Sequence, residues 1–229
     1  MYLQYGAGIL KNKLSIQDPE LLSQTVDRYV ETRARQLRRR PLPRPEGFDY
    51  GYFKSIHHHF FQDVYSWAGK PRKIDVLKPE ELFNGDSVGY AGYRSIRRLA
   101  KRAIRNMKEI RWMDLCLDDQ AAAFAACMAE LWRVHTFRDG NTRVVTEFCL
   151  QYAESLGLKL DRTYFGKANS RRLRDALVSA NGPQRTINSP TADIKADPNP
   201  LIALVKASML SARTPAPLRP DIDAVPAAM

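Results

Sequence analysis

Nine consecutive residues, His135-Thr136-Phe137-Arg138-Asp139-Gly140-Asn141-Thr142-Arg143, bring a base, an acid, a flexible backbone position, an amide and a cation together. Gly140 permits positive φ and close backbone approach. Asn141 opens a helix, whose unpaired amides and dipole attract an anion. A carboxylate beside an anion site is best explained by a hard divalent cation shared with phosphate, which makes Asp139 a Mg²⁺ ligand candidate. Arg143, one turn into the helix, can reach a phosphate oxygen. His135 stands at the other end of the loop, where a neutral imidazole takes a proton from a hydroxyl. Phe137 has no chemistry of its own and reads as an anchor that plugs the loop into the core. Singly, each residue is more often a helix cap. At this spacing they describe transfer of a phosphorus-containing group to an alcohol by positioning and charge neutralisation.

The elements that must position this loop are helical. Asp18-Pro19-Glu20 is a helix start, and Leu21, Leu22, Val26, Tyr29 and Val30 carry the helical period to about Arg39, where Pro41, Pro43 and Pro45 stop it. Asp49 caps the next helix, expected to run to Trp67-Ala68-Gly69. Three consecutive histidines in it, His57, His58 and His59, point about 100° apart and so cannot share one metal; one is expected beneath the loop, the others in solvent. Helices are expected from about Ser87 to Met107, from a cap at Asp118 to His135, from Asn141 to Leu156, and near Ser170–Ala180. Before the loop, Ile9–Leu14 is a helical turn or a docked arm. Arg72-Lys73-Ile74-Asp75-Val76-Leu77 alternates polar and apolar before Pro79 and Asn84-Gly85, which suits a short two-stranded flap or a plain loop. The fold class is all-α, with that flap as its strand-like part. The chain divides into an N-terminal arm and helix (1–45), a core (46–186) and a C-terminal helix and mobile tail (187–229), the helix at Asn199–Arg213 and the tail from Arg213 to Met229.

Composition sets the bounds. The 229 residues suffice for one sizeable core, and no apolar run of about 18 residues predicts a membrane span. The start, Met1-Tyr2-Leu3, lacks the charged and apolar regions of a signal peptide. Cys116, Cys127 and Cys149 lie in helical patterns and read as buried free thiols of a reducing cytoplasm. Net charge is +11, with Arg33, Arg35, Arg38, Arg39, Arg40 and Arg44 in one run. Without interleaved stacking aromatics, that run reads as a solvated helix end and not as a nucleic-acid surface.

The loop resembles the signature of the Fic family, H-P/x-F-x-D/E-G-N-G-R-x-x-R. Ile56-His57, Phe61-x-Asp63-Val64-Tyr65, Trp67-Ala68-Gly69 and Arg72 resemble the opening of Fic domains, and Ile9–Leu14 resembles the arm that precedes them in bacterial members. The likeness spans roughly residues 5 to 180. It implies a Fic-type helix bundle with a β-hairpin flap, and a protein adenylyltransferase that moves AMP from ATP to a Tyr, Thr or Ser hydroxyl of a target protein. By motif position, His135 would be the general base and Asp139 would hold Mg²⁺. Gly140 and Asn141 would bind phosphate through backbone and side chain. Arg143 would contact the nucleotide phosphates, and Phe137 would be the anchor. The segment with Arg72, Ile74 and Val76 would be the flap that aligns the target by strand pairing.

Three positions depart from the signature. Thr136 replaces the usual Pro. Thr142 replaces Gly, close to the phosphates. Thr146 replaces the second Arg, the family's γ-phosphate ligand, and losing such a charge-assisted contact costs of order 1.5–3 kcal/mol. The resemblance therefore also admits another nucleotide or phosphate donor, or a catalytically weak binding module. The inhibitory pattern S/T-x-x-x-E-G/N is absent: Glu46-Gly47 has Leu42 where Ser or Thr would stand. A separate small antitoxin protein would supply that control, or the control is lacking. A cytoplasmic protein and a translocated effector share these physics.

Overall fold

The computed structural model describes residues 2–3, 8–44, 46–184 and 193–213. Pro45 and the tail from residue 214 lie outside the described residues. Two aspartates start the first helices. At α1 (Pro19–Arg39) the Asp18 carboxylate accepts the Leu21 amide at 2.6 Å. At α2 (Tyr50–Phe61) Asp49 accepts the Tyr52 amide at 2.7 Å. Each satisfies an amide that has no partner inside its helix. α1 buries Leu22, Val26, Val30 and Leu37 and packs on α2. Its arginine run is not wholly solvated, because Arg33 grips Asp63 with two hydrogen bonds of 2.7 Å.

α2 ends at Phe61, well short of Gly69. The Phe61 carbonyl accepts both the Val64 and Tyr65 amides, so the chain turns. That turn buries Tyr65 and Trp67, stacked at 4.3 Å, beside His57. The arm before α1 docks on this turn. The Lys13 amide donates to the Val64 carbonyl at 2.8 Å, and Tyr2 meets Trp67 edge-on.

α3 (Ile96–Glu109) starts later than its basic periodicity suggested. The preceding residues are extended because Ser87 and Val88 bridge to Pro79 and Pro183, and the Ala91 carbonyl is held by Arg72. α4 (Leu117–Val134) is the central helix and packs on α3, α5 (Asn141–Ser155), α6 (Ser170–Asn181) and α7 (Asn199–Ser211). Cys116, not Asp118, occupies its N-cap position, and Asp118 in the first turn pairs with Lys206 of α7 at 2.7 Å. Cys116 is consequently exposed, against expectation. Cys127 and Cys149 are buried, and burial pushes both thiols up, Cys127 to about 12. α7 buries Leu201, Leu204, Val205 and Met209 in the same core as the other helices.

The expected two-stranded hairpin is not formed. Among the described residues the only β pairs are isolated bridges, one of them Pro79–Ser87. The start of the 72–77 segment pairs with the 135–140 loop instead: the Arg72 amide donates to the Thr136 carbonyl at 2.9 Å. Between Pro79 and Ser87 the chain makes a 3₁₀ turn, Glu81–Phe83, closed by Asn84 and Gly85, both at positive φ. Buried Phe83 anchors that turn. Glu80, 2% exposed, ties it to α6 through Arg174 at 2.8 Å.

Candidate active site

α4 ends by handing His135 into the loop. His135 is the helix C-cap, in the left-handed conformation at φ 47° and ψ 58°. α5 begins at Asn141. The Asn141 side chain closes the loop on itself: its Oδ1 accepts the Phe137 amide and its Nδ2 donates to the Phe137 carbonyl, both at 2.8 Å. These two bonds make the Asn141 side chain part of the loop's frame and commit one of its two amide N–H groups to Phe137. Gly140, at φ 76°, is required. A β-carbon there would lie 2.2 Å from the Phe61 ring. With no side chain on Gly140 to cap α5, the first-turn amides remain available at the cavity wall.

Phe137 is the expected anchor, fully buried and stacked on the His57 ring at 3.8 Å. His57 is the histidine beneath the loop; His58 is exposed, and half-buried His59 bonds to the Arg33 carbonyl. The Gly69 amide donates to His57 Nδ1 at 2.8 Å, so the ring carries its proton on Nε2 and donates to the Asp139 carbonyl at 3.2 Å. Burial drives its pKa down to about 3, which keeps this tautomer neutral.

Arg72, 2% exposed, turns inward and not toward a target. Its Nε donates to the His135 carbonyl at 2.7 Å and another nitrogen to the Ile74 carbonyl at 2.6 Å, while a third reaches Ala91. It locks the backbone of the histidine to the following segment, leaving exposed Ile74 and half-buried Val76 at the surface. The His135 ring, 3% exposed, sits 4.1 Å from Tyr90, and neither ring nitrogen has a protein partner among the described residues. Burial first, then the charges of Lys78 and Arg72, hold its pKa well below the usual histidine value. The result is a neutral imidazole, unpartnered among the described residues, on a residue that lines a cavity, which is the protonation state a general base requires.

That cavity, about 690 Å³, is lined by His135, Asp139, Gly140, Asn141, Thr142 and Arg143 of the loop and α5, together with Lys78–Leu82, Tyr90 and Arg174. The Asp139 carboxylate has no partner among the described side chains, and no three acidic, His or Cys side chains converge there as a complete metal site. Arg143 pairs with Asp27 of α1 at 2.5 Å. The Thr142 hydroxyl accepts the Trp132 indole N–H at 2.9 Å. Thr146 is buried one turn along α5, its hydroxyl without a partner among the described residues. It lines a second cavity, about 680 Å³, that adjoins the first at Thr142 and Arg143.

The structure thus brings His135, Asp139, Gly140, Asn141, Thr142 and Arg143 to one cavity, buries Phe137 beneath the loop that Asn141 frames, and withdraws Arg72 from the surface. Sequence reasoning missed Lys78, Tyr90, Glu80 and Arg174. None lies in a local pattern, and Arg174 meets Glu80 from 94 residues away.

Comparison with known proteins places the geometry in context. The Fic/DOC family model matches residues 47–153. The probable protein adenylyltransferase y4lH of Sinorhizobium fredii is 30% identical over 179 residues, covering 76% of this chain and 83% of that protein. The protein adenylyltransferase VbhT of Bartonella schoenbuchensis is 28% identical over 204 residues, 82% of this chain; the chain spans 40% of VbhT. Among solved structures, the Bartonella tribocorum effector BepC with bound AMPPNP superposes with a TM-score of 0.70 at 23% identity, covering 90% of this chain and 95% of that one.

Proposed function

The chain belongs to the Fic/DOC family, and from that premise we propose that it is a protein adenylyltransferase, which moves AMP from ATP to a hydroxyl side chain of a target protein. One observation carries the reading: His135 is neutral, buried and unpartnered at the wall of a cavity whose floor is the uncapped start of α5. Relatives named protein adenylyltransferases and a neighbouring fold that binds AMPPNP support it.

In this reading the α-phosphate lies against the first-turn amides of α5, with Arg143 at the trailing phosphates. A free His135 nitrogen takes the proton of the target hydroxyl as its oxygen attacks the α-phosphorus. The bond from that phosphorus to the bridging oxygen breaks, and pyrophosphate leaves. Asp139 fits a Mg²⁺ ion, because its carboxylate is unpaired and the remaining ligands can be phosphate oxygens and water. Such an ion neutralises developing phosphate charge. Ile74 and Val76 remain as the edge on which a target segment aligns. A separate antitoxin would act at the phosphate end.

The test is direct. The protein, with Mg²⁺, ATP labelled at the α-phosphate and a cell lysate, should label a target, and His135→Ala should not. Absence of label with every nucleotide would overturn the reading. The second cavity beside Thr146, where the signature has a cation, favours a second reading in which the donor is another nucleotide or phosphate compound. Competition of unlabelled nucleotides against the labelled reaction ranks these donors.

A further inference from the structure

Of the cations that line the cavity, three are tied to acids. Arg143 is paired with Asp27, Arg174 with Glu80, and Arg171 with Glu81 and Asp175. Lys78 is different. Its ammonium has no ion pair or hydrogen bond with any described residue, yet it is half-buried and lines the same cavity as His135 and Asp139. Burial lowers its pKa, and its charge is felt at both Asp139 and the His135 ring. A desolvated ammonium without a counter-ion is costly, and side chains avoid the arrangement unless a ligand supplies the anion.

The segment that carries Lys78 is held firmly enough to make this placement a built feature. The Lys78 amide donates to the Ser87 hydroxyl at 3.1 Å, Pro79 bridges to Ser87, and the neighbouring Glu80 is clamped by Arg174 and Tyr90. Lys78 thus stands on a pinned turn and lines the same cavity as the first turn of α5, so the two sets of donors share one space.

We propose that Lys78 is a phosphate ligand of the donor, gripping the phosphoryl group that lies between His135 and Asp139 and adding a cation that the motif loop does not itself provide. This rests on the nucleotide-binding reading above, and it assigns the turn Lys78–Ser87 a second duty, that of closing the donor site. The group gripped is the α-phosphate, because Lys78 lines the cavity beside the base, whereas Thr146 lines only the other one.

Isothermal titration of the full chain with AMP, ADP and adenosine, each with Mg²⁺, tests this without relying on transfer. Lys78→Ala should weaken AMP and ADP by about tenfold or more while leaving adenosine unchanged, and Lys78→Arg should recover most of the loss. Thermal unfolding of each variant guards against a general folding defect. Native-like AMP affinity in Lys78→Ala would overturn the proposal while leaving the adenylyltransferase reading intact. An equal loss for adenosine would also overturn it, since the residue would then shape the cavity and not meet phosphate. Failure of the native protein to bind AMP, ADP or ATP would overturn both.

Discussion

At the scale of single residues, the site depends on small differences in what a side chain can reach. Gly140 is the sharpest case. Any β-carbon there meets Phe61 at 2.2 Å in a conformation that side chains rarely adopt. Gly140→Ala should therefore displace the loop and reduce transfer about a hundredfold, since near 1 Å of misplacement suffices for such a loss. A Gly140→Ala/Phe61→Leu double variant that recovers part of the rate would trace the loss to this clash. Arg72→Lys retains the charge but cannot reach three carbonyls, so it should cost about 2 kcal/mol or more in denaturant unfolding and lower the transfer rate with it. Thr146→Arg should restore a phosphate contact and tighten ATP binding by about tenfold relative to AMP; an unchanged ratio, read by titration, would show that the native site needs no cation there. What the sequence disclosed at this scale was local. His135, Asp139 and Gly140 declare their chemistry within one loop. The duty of Arg72 is fixed by a carbonyl 63 residues away, and Asp27 reaches Arg143 across 116. No local pattern carries such pairings.

At the scale of elements, α2 and the loop act as one unit joined by His57. Its Nδ1 accepts from the Gly69 amide, its Nε2 donates to the Asp139 carbonyl, and its face carries Phe137. Protonation would place a second N–H against the Gly69 amide. Below the ordinary histidine value of 6.5 the unfolded chain takes up a proton that this folded ring, with a pKa of about 3, refuses. Stability is thus held above pH 6.5 and lost as pH falls toward 3, by about 2 kcal/mol near pH 5 from this group alone. His135 and His59 are shifted in the same direction and steepen the fall. Melting profiles across pH should show this acid limb, and His57→Gln should be less stable near neutrality but flatter in acid. The helix starts at Asp18 and Asp49 were legible because a cap is a short-range signal. The end of α2, the late start of α3 and the missing hairpin were not. Each was decided by partners outside the segment: Trp67 against Tyr65, Ala91 against Arg72, and Arg72 against the loop.

At the scale of the whole molecule, α3, α5, α6 and α7 lean on α4, while α2 reaches the site through α5 and α3. Composition separated that last helix from the core, although Leu204 and Val205 are as buried as any residue of α4. Leu204→Ala, far from the motif loop in sequence, should destabilise the protein by about 2–5 kcal/mol and lower its Tm by several degrees. Among the described residues no helix is long and apolar enough to cross a membrane. The net charge of +11 is spread over exposed faces such as that of α3, whose buried stripe is Ile96, Ala100, Ala103, Ile104 and Met107.

The backbone of His135 has a consequence for how the protein can be improved. A side chain in the left-handed region costs of order 1 kcal/mol, and two buried ring nitrogens without partners add to that cost. The position proposed as the base is thereby a weak point of the fold, held in place by Arg72. Asn accepts the left-handed region more readily than most residues. His135→Asn should therefore melt at least as high as the native protein despite losing a buried ring, while transferring nothing. A selection for thermal robustness alone would drift toward that inert form, so evolving a sturdier version of this protein demands that activity be screened at every round.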